Sequence, residues 1–198
     1  LEQLAEVKSL VVEVVRPDGA SVLNADDELV AGMAERAEGK IVYFSMHGGE
    51  GASDLVRKAT VMRFRQALSG EFGSYEELPV QGFEVTCIPK PAFWKMSLPA
   101  RVLGRFAEQV DPETVAETWA MASRMKPDKQ RDLCVFLMGP KLAAARELAA
   151  AIADQRRKPM PAGGKLILVP VSTINWAAHI PTDAPAVVKS LLTRLKSG

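Results

Sequence analysis

The sequence predicts an α/β fold, a three-layer sandwich with a mostly parallel sheet. Two observations favour this class. Short β-branched or continuously apolar runs alternate along much of the chain with segments whose apolar residues have helical spacing. The 198 residues are 47% hydrophobic, which is enough to bury a sizeable core. We therefore expect a single α/β domain over residues 1–198, with a junction near residue 47.

The first quarter of the chain predicts strands on both sides of a helix. SLVVEVV (9–15) is rich in β-branched residues, and the RPDG turn after it leads into a strand at 21–24. Residues 26–39 have apolar positions at helical spacing and end at a glycine, which predicts a helix. KIVYFSM (40–46) predicts the next strand. Because the RPDG turn is short, an edge hairpin between 9–15 and 21–24 is an alternative.

The next segment predicts a loop, a helix and a strand. HGGEGAS (47–53) has the glycine content of a loop. Ser53 and Asp54 are residue types that cap helices, and we expect them to begin a helix over 54–70. GFEVTCIPK then predicts a strand at 83–88.

The middle of the chain predicts a helical insert around 91–125. It is rich in aromatic residues and Met, and its Asp111-Pro112 pair is typical of a helix start. Beyond the insert, strand and helix signals alternate again, and Thr182 or Asp183 is expected to cap the last helix. These later elements are strands at 133–138 and 165–171 and helices at 141–158 and 182–197. We expect all the strands to join one sheet.

The composition gives no sign of a nucleic-acid or membrane partner. The chain carries 25 Lys and Arg against 24 Asp and Glu, so no strong field attracts it to polyanions. No apolar stretch approaches the ~20 residues of a membrane span. The opening LEQLAEVKS lacks the apolar core of a signal peptide. We therefore expect a cytoplasmic protein.

The two cysteines support the same compartment. Cys87 and Cys134 lie in separate apolar, strand-like runs and do not form a CxxC motif. Reduced, buried thiols are therefore expected at both positions, since disulfides are rare in the cytosol.

A family resemblance covers the first 46 residues. They contain a strand, RPDG, VLNADD after a second strand, a helix, and YFSM. This stretch resembles part of the ATP-binding central domain of Mur-type amide ligases, in particular the cyanophycin synthetases. In that family the Asn of the NADD motif lies beside the adenine of ATP, and it corresponds to Asn24. A side-chain amide offers both a donor and an acceptor, which complements the adenine N6/N7 edge.

The resemblance stops short of a complete ligase. Phosphate binding in those ligases needs a glycine-rich loop that ends in Lys-Ser or Lys-Thr, and no GxxxxGK[ST] pattern occurs in the 198 residues. The other parts of the ligases are not recognisable after Met46. We therefore expect an α/β domain that is not a complete ligase.

Candidate ligand contacts cluster at two predicted strand ends, where open α/β sheets bind ligands. The first holds Asn24 and Asp27. The second is the predicted loop, where glycine N–H groups can approach an anion. Its candidate residues are His47, Gly48, Gly49, Gly51 and Ser53. A flexible loop that ends in a helix cap is the alternative for this segment.

The acids and histidines leave other chemistry open. Asp26 and Asp27 could hold a metal ion, but adjacent acids in the first turn of a helix also stabilise its dipole. His47 and His179 are the only histidines. Either could act as a general base, although no G-x-S-x-G elbow accompanies them. The sequence therefore assigns no metal site and no catalytic residue.

Three functional hypotheses remain from the sequence. The first is a small-ligand crevice, for an adenine nucleotide or a small anion, at the two strand ends. The second is a protein-interaction module, with a protein partner or a homo-oligomer, in which the Trp- and Met-rich insert (91–125) and the last helix (182–197) present apolar side chains. The third is a small hydrolase or transferase that uses His47. Whether the protein is an enzyme stays open.

Overall fold

The computed structural model describes residues 2–44, 50–90, 99–126, 128, 131–158 and 164–197. It confirms an α/β fold. The helices are Glu2–Glu13 (α1), Glu28–Gly32 (α2), Glu50–Phe72 (α3), Pro112–Ser123 (α4), Ala145–Arg156 (α5) and Ala186–Ser197 (α6). The strands are Ala20–Asn24 (β1), Lys40–Phe44 (β2), Tyr75–Glu76 (β3), Val85–Pro89 (β4), Arg101–Phe106 (β5), Gln109–Val110 (β6), Leu133–Gly139 (β7), Lys141–Leu142 (β8) and Leu166–Ser172 (β9).

The chain divides into two compact units, Leu1–Ala59 (unit 1) and Thr60–Gly198 (unit 2), with the boundary inside α3. The single domain expected over 1–198 stays a prediction. Among the described residues, no helix has both the length and the apolar character needed to cross a bilayer.

Unit 1 is a small layer built on two parallel strands. β1 and β2 pair in register from Ala20 opposite Lys40 to Asn24 opposite Phe44. α2 continues into a 3-10 turn at Met33–Arg36 and connects the two strands. One face of the strands packs on a small core, whose buried members are Val12, Leu23 and Met33. The alternation of buried and exposed residues along β1 follows from this one-sided packing.

The strand predicted at 9–15 is wrong, and so is its hairpin with 21–24. Residues Glu2–Glu13 form α1 instead. Ser9 and Val12, three residues apart, are both buried, as on one face of a helix. A short run of Leu and Val fits either period, and here packing against Leu23 and Met33 outweighs the strand preference of β-branched residues.

Unit 2 is a three-layer sandwich. Its sheet has the order β3-β4-β5-β7-β9, with β5, β7 and β9 parallel and with β3 and β4 added antiparallel. One face packs on residues of α4 and α5, including Trp119 and Leu148. The other face packs on α3 and α6 through residues such as Phe64 and Leu191. All seven residues of β7 are buried because helices cover both sides of the sheet.

Two predictions about this architecture are wrong. The strands do not join one sheet, since β1 and β2 pair only with each other among the described residues. The predicted insert at 91–125 is not helical throughout, because 101–106 form the central strand β5. Gly104 lets the ring of Phe64 pack directly on the backbone of β5. A Cβ atom at residue 104 would lie 2.8 Å from Cε1 of Phe64, which is too close for a side chain there. Residues 91–98 lie outside the described residues.

The predicted helix start at Asp111 is confirmed. The Asp111 side chain accepts a hydrogen bond from the Thr114 N–H at 2.9 Å, and Thr114 Oγ1 accepts one from the Asp111 N–H at 2.8 Å. This reciprocal pair satisfies N–H groups that the first turn of α4 leaves without helical partners.

Two predicted helix caps are wrong. α3 begins at Glu50, so Ser53 and Asp54 lie inside the helix. α6 begins at Ala186, beyond Thr182 and Asp183. Asp183 instead accepts a hydrogen bond from Arg156 at 2.9 Å. Ion pairing with that guanidinium holds the pKa of Asp183 below its usual value.

Candidate functional site

The carboxyl ends of β1 and β2 meet at one edge of unit 1. Asn24 is the last residue of β1, and Phe44, the last residue of β2, lies directly opposite it. The Ala25 N–H donates a hydrogen bond to the Phe44 carbonyl at 2.8 Å, which continues the pairing one residue past β1. Both strand ends are therefore held side by side by backbone hydrogen bonds.

Asn24 is held in a defined orientation. Its Oδ1 accepts a hydrogen bond from the Asp26 N–H at 2.9 Å, which makes an Asx turn between β1 and α2. The side chain is half-buried. An amide oxygen has two lone pairs and an amide nitrogen has two hydrogens, so this turn leaves acceptor and donor capacity for a ligand.

Asp27 has the structural role that the sequence allowed for the paired acids. Its Oδ1 accepts hydrogen bonds from the N–H groups of Leu29 at 3.0 Å and Val30 at 3.2 Å, so it is the N-cap of α2. Asp26, beside it, is exposed. Within the described residues, no group of three or more His, Cys, Asp or Glu side chains is arranged to hold a metal ion.

Phe44 is a candidate contact that the sequence reasoning missed. It is 46% exposed and lies on the face of the two strands opposite the small core of unit 1. Val22 and Val42 form the next cross-strand pair on this face, and both are exposed. The alternation in KIVYF places Phe44 on the same face as Val42, but only the parallel register places it opposite Asn24.

The predicted glycine-rich loop is wrong for residues 50–53, which are helical. Gly51 and Ser53 lie in the first turn of α3, not in a loop. His47, Gly48 and Gly49 lie outside the described residues, and their proposed contacts stay predictions.

Part of the surface predicted for a protein partner is buried in unit 2. Trp119, in the predicted insert, is a core residue, and Trp176, which lies outside the predicted surface, is buried as well. The guanidinium of Arg63 lies 5.2 Å from the centroid of the Trp176 ring, so this ring already has a cationic neighbour. The apolar residues of α6 are buried as well: Val188, Leu191, Leu192 and Leu195. Trp94 lies outside the described residues.

The predicted state of the cysteines is confirmed. Cys87 on β4 and Cys134 on β7 are both free and buried. Burial is the main reason why the pKa of each thiol is raised to about 12, since a thiolate is poorly solvated there. Buried thiols of this kind are unreactive at neutral pH.

Comparison with known proteins gives a partial match. No family model matches the chain. Over 47 residues it is 62% identical to a cyanophycin synthetase of Crocosphaera subtropica and 57% identical to one of Synechocystis sp., in each case 24% of this chain and 5% of the relative. A Nostoc sp. cyanophycin synthetase is 53% identical over 58 residues, 29% of this chain and 6% of the relative. The chain therefore spans about one-twentieth of the length of these curated relatives. About a quarter of it is similar to a segment of cyanophycin synthetases.

Proposed function

We propose that unit 1 binds an adenine nucleotide at the carboxyl ends of β1 and β2. The observation that carries this proposal is the direct cross-strand pairing of Asn24 with Phe44 at that edge. An oriented amide beside an exposed aromatic ring suits the two properties of adenine, a hydrogen-bonding edge and a flat π-face.

The spacing of the two side chains supports one ligand that contacts both. Neighbouring strands lie about 4.7–4.9 Å apart, so directly opposed side chains on one face are close enough for one ligand to contact both. A base stacked on the ring of Phe44 would then present its edge toward the amide of Asn24. The Asx turn fixes the amide before the ligand arrives, which lowers the entropy cost of binding.

The family resemblance supports the same ligand. In Mur-type amide ligases the Asn that corresponds to Asn24 lies beside the adenine. The phosphates would extend along the backbone that follows β2, where His47, Gly48 and Gly49 are the candidate contacts and Gly51 and Ser53 follow in the first turn of α3. Asp27 would contribute indirectly, by fixing the start of α2.

Calorimetric titration of AMP and ATP tests the proposal. Asn24→Ala and Phe44→Ala should each weaken binding by about 1–3 kcal/mol, the usual contribution of a bidentate base contact or of one base stacked on an aromatic ring. Asp27→Asn is the matched control, because it keeps a capping side chain. Absence of binding to the wild type at millimolar nucleotide would contradict the proposal. Loss of binding in Asp27→Asn that added divalent metal restores would show instead that the acids hold a metal ion.

A second candidate function, association of two copies through α1, is favoured by an exposed apolar stripe. Val7, Leu10, Val11 and Val14 follow the i, i+3, i+4, i+7 pattern of one helix face, and they are between 54% and 77% exposed. Such a stripe usually covers another apolar surface. It differs from the surface expected in the insert at 91–125.

The stripe is self-complementary. In an antiparallel pair centred between Leu10 and Val11, Val7 would lie opposite Val14 of the other copy, and Leu10 opposite Val11. The same apolar patch of each copy would then cover the other, as a two-fold interface requires.

Light scattering after size-exclusion chromatography tests this association. Leu10→Lys and Val11→Glu should each shift the chain toward monomer, because each places a charge in the apolar centre of the contact. An equimolar mixture of the two variants should recover the dimer, since the two introduced charges then lie opposite each other and have opposite signs. Monomeric wild type at high concentration, or a mixture no more dimeric than its components, would contradict the second candidate.

A further inference from the structure

Two arginines lie on one face of the unit 2 sheet, at the amino edge of its parallel strands. Arg101 is the first residue of β5 and pairs with Leu133 of β7. Arg131 comes two residues before Leu133, so alternation places it on the same face. The Arg101 N–H donates a hydrogen bond to the Asp132 carbonyl at 2.9 Å, which holds the two chain segments together. Both guanidinium groups therefore belong to one local cluster.

Backbone carbonyls hold both guanidinium groups in place. Arg101 donates from an Nη to the Lys126 carbonyl at 3.1 Å. Arg131 donates from an Nη to the Pro89 carbonyl, also at 3.1 Å. The Nε atoms of both arginines are buried, and neither has a hydrogen-bond acceptor among the residues that the structure describes. Each guanidinium has five N–H groups, so these contacts use only part of its donor capacity.

The positive charge of this cluster exceeds its negative charge. Asp128 Oδ2 lies 3.5 Å from Arg131 Nε, and the same carboxylate also acts electrostatically on Arg101. The same alternation places Asp132 on the opposite face of the sheet, where its Oδ1 accepts a hydrogen bond from the Lys165 N–H at 2.9 Å. Burial and the neighbouring Arg131 both lower the pKa of Arg101, as expected where two cations share one carboxylate.

The segments that neighbour these elements along the chain contain cations and no acid. Residues 91–98, 127, 129–130 and 159–163 include Lys95 and Lys129 but neither Asp nor Glu. These segments therefore cannot supply a second carboxylate for the arginine pair, whatever their conformation. An external anion can.

We propose that Arg101 and Arg131 form a binding site for the phosphate group of a small molecule. Arginine suits this ligand because its planar, permanently charged fork donates two parallel hydrogen bonds to phosphate oxygens. The anion would supply the missing negative charge, and Asp128 would compete with it for the same guanidinium groups. The site lies wholly in unit 2 and does not depend on nucleotide binding by unit 1.

Titration with inorganic phosphate at constant low ionic strength tests the site, with the heat of binding and the change in melting temperature as two readouts. The wild type should bind phosphate saturably. Arg101→Gln and Arg131→Gln should each weaken binding at least about tenfold, since a charge-assisted hydrogen bond is lost. Arg157→Gln is the matched control: Arg157 is 81% exposed and pairs with Asp154 on the same helix, so its loss should leave binding unchanged.

Asp128→Asn separates a ligand site from a purely structural cluster. Because the carboxylate competes with phosphate, its removal should strengthen phosphate binding several-fold. Weaker binding in this variant, no saturable binding to the wild type, or an equal loss in Arg157→Gln would overturn the proposal. If a glutamine variant fails to fold, Arg101→Lys takes its place. It keeps the charge but loses the fork, and phosphate binding that stays as tight as in the wild type would also contradict the site.

Discussion

The two units differ in how completely their strands are covered. In unit 2, helices pack on both faces of a five-stranded sheet. In unit 1, one face of a two-stranded sheet packs on a core and the other is exposed. The exposed large hydrophobic residues among the described ones are Val7, Leu10, Val11, Val14, Val22, Leu29, Val42 and Phe44 in unit 1, against Met62, Leu78 and Ile174 in unit 2.

A local sequence can therefore specify a strand-helix-strand unit in which one face of the strands stays exposed. Among the described residues, each of the two strands pairs with one neighbour, and the small helical layer covers one face of the pair. Isolated two-stranded sheets are marginally stable, and exposed apolar faces usually mark binding surfaces. We therefore expect unit 2 to supply most of the stability of the chain. The adenine-nucleotide and self-association proposals both concern unit 1.

The largest change in the free energy of unfolding is expected when a buried aromatic side chain is removed from unit 2. Phe136 is fully buried on β7, with its ring 5.1 Å from that of Phe64. Phe136→Ala should lower the free energy of unfolding by about 3–5 kcal/mol, because it removes buried area and leaves a cavity. Phe44→Ala, on the open face, should change it by less than about 0.5 kcal/mol. Urea denaturation of both variants measures the difference. A similar loss in both would show that the β2 face is covered in solution.

The buried thiols should make the stability of unit 2 sensitive to alkaline pH. The pKa of Cys87 and Cys134 is about 12 in the folded chain, against an ordinary value of 9.0. The folded chain therefore keeps protons that the unfolded chain releases. The free energy of unfolding keeps its full value below pH 9. Between pH 9 and 12 it falls by about 1.4 kcal/mol per pH unit for each thiol.

Urea denaturation at several alkaline pH values measures this loss. The matched control is the double variant Cys87→Ala, Cys134→Ala, in which the slope should be shallower. An equal slope in this variant would assign the alkaline loss to other groups. Thiol titration in native buffer should detect neither cysteine until denaturant is added.

A smaller effect is expected at the start of α4. Asp111→Ala removes an acceptor for the Thr114 N–H and should cost about 1 kcal/mol. The hydrogen bond from Thr114 also lowers the pKa of Asp111 below 3.8. The contribution of the Asp111 carboxylate to the free energy of unfolding is therefore fully present above pH 3.8. It is lost as the pH falls through the lower pKa of the folded state. Thermal melts at pH 7 and near pH 2 measure both effects, and the variant should differ less from the wild type at the acid pH.

The smallest change in stability is expected at the start of α2, in unit 1. Asp27→Asn keeps an oxygen that can accept from Leu29 and Val30 but removes the charge at the helix N-terminus. It should cost a few tenths of a kcal/mol, the usual contribution of one exposed charge to the helix dipole. Amide hydrogen exchange of Ala31 and Met33 measures this change. A loss as large as that of Asp111→Ala would show that α2 is held as tightly as α4.

Elements whose local signals are redundant were predictable from the sequence alone. LCVFLMG in β7 is a continuous apolar run bounded by polar residues and Pro140, so a buried strand was predictable. Asp111-Pro112 specified the start of α4 through a side chain that bonds its own backbone. Asn24 was predictable as a strand end, and both cysteines as buried, because these properties depend on neighbours close in the chain.

Elements whose local signals are ambiguous depend on long-range packing. SLVVEVV became part of a helix because Val12 packs against Leu23 and Met33, and RVLGRF became a strand because β4 and β7 pair with it on either side. The pairing of Phe44 with Asn24 required the parallel register, and the juxtaposition of Arg101 and Arg131 required two strands far apart in sequence. Short apolar segments fit both helical and strand periodicity. The choice between them depends on the free energy of packing against distant residues, which no local pattern contains.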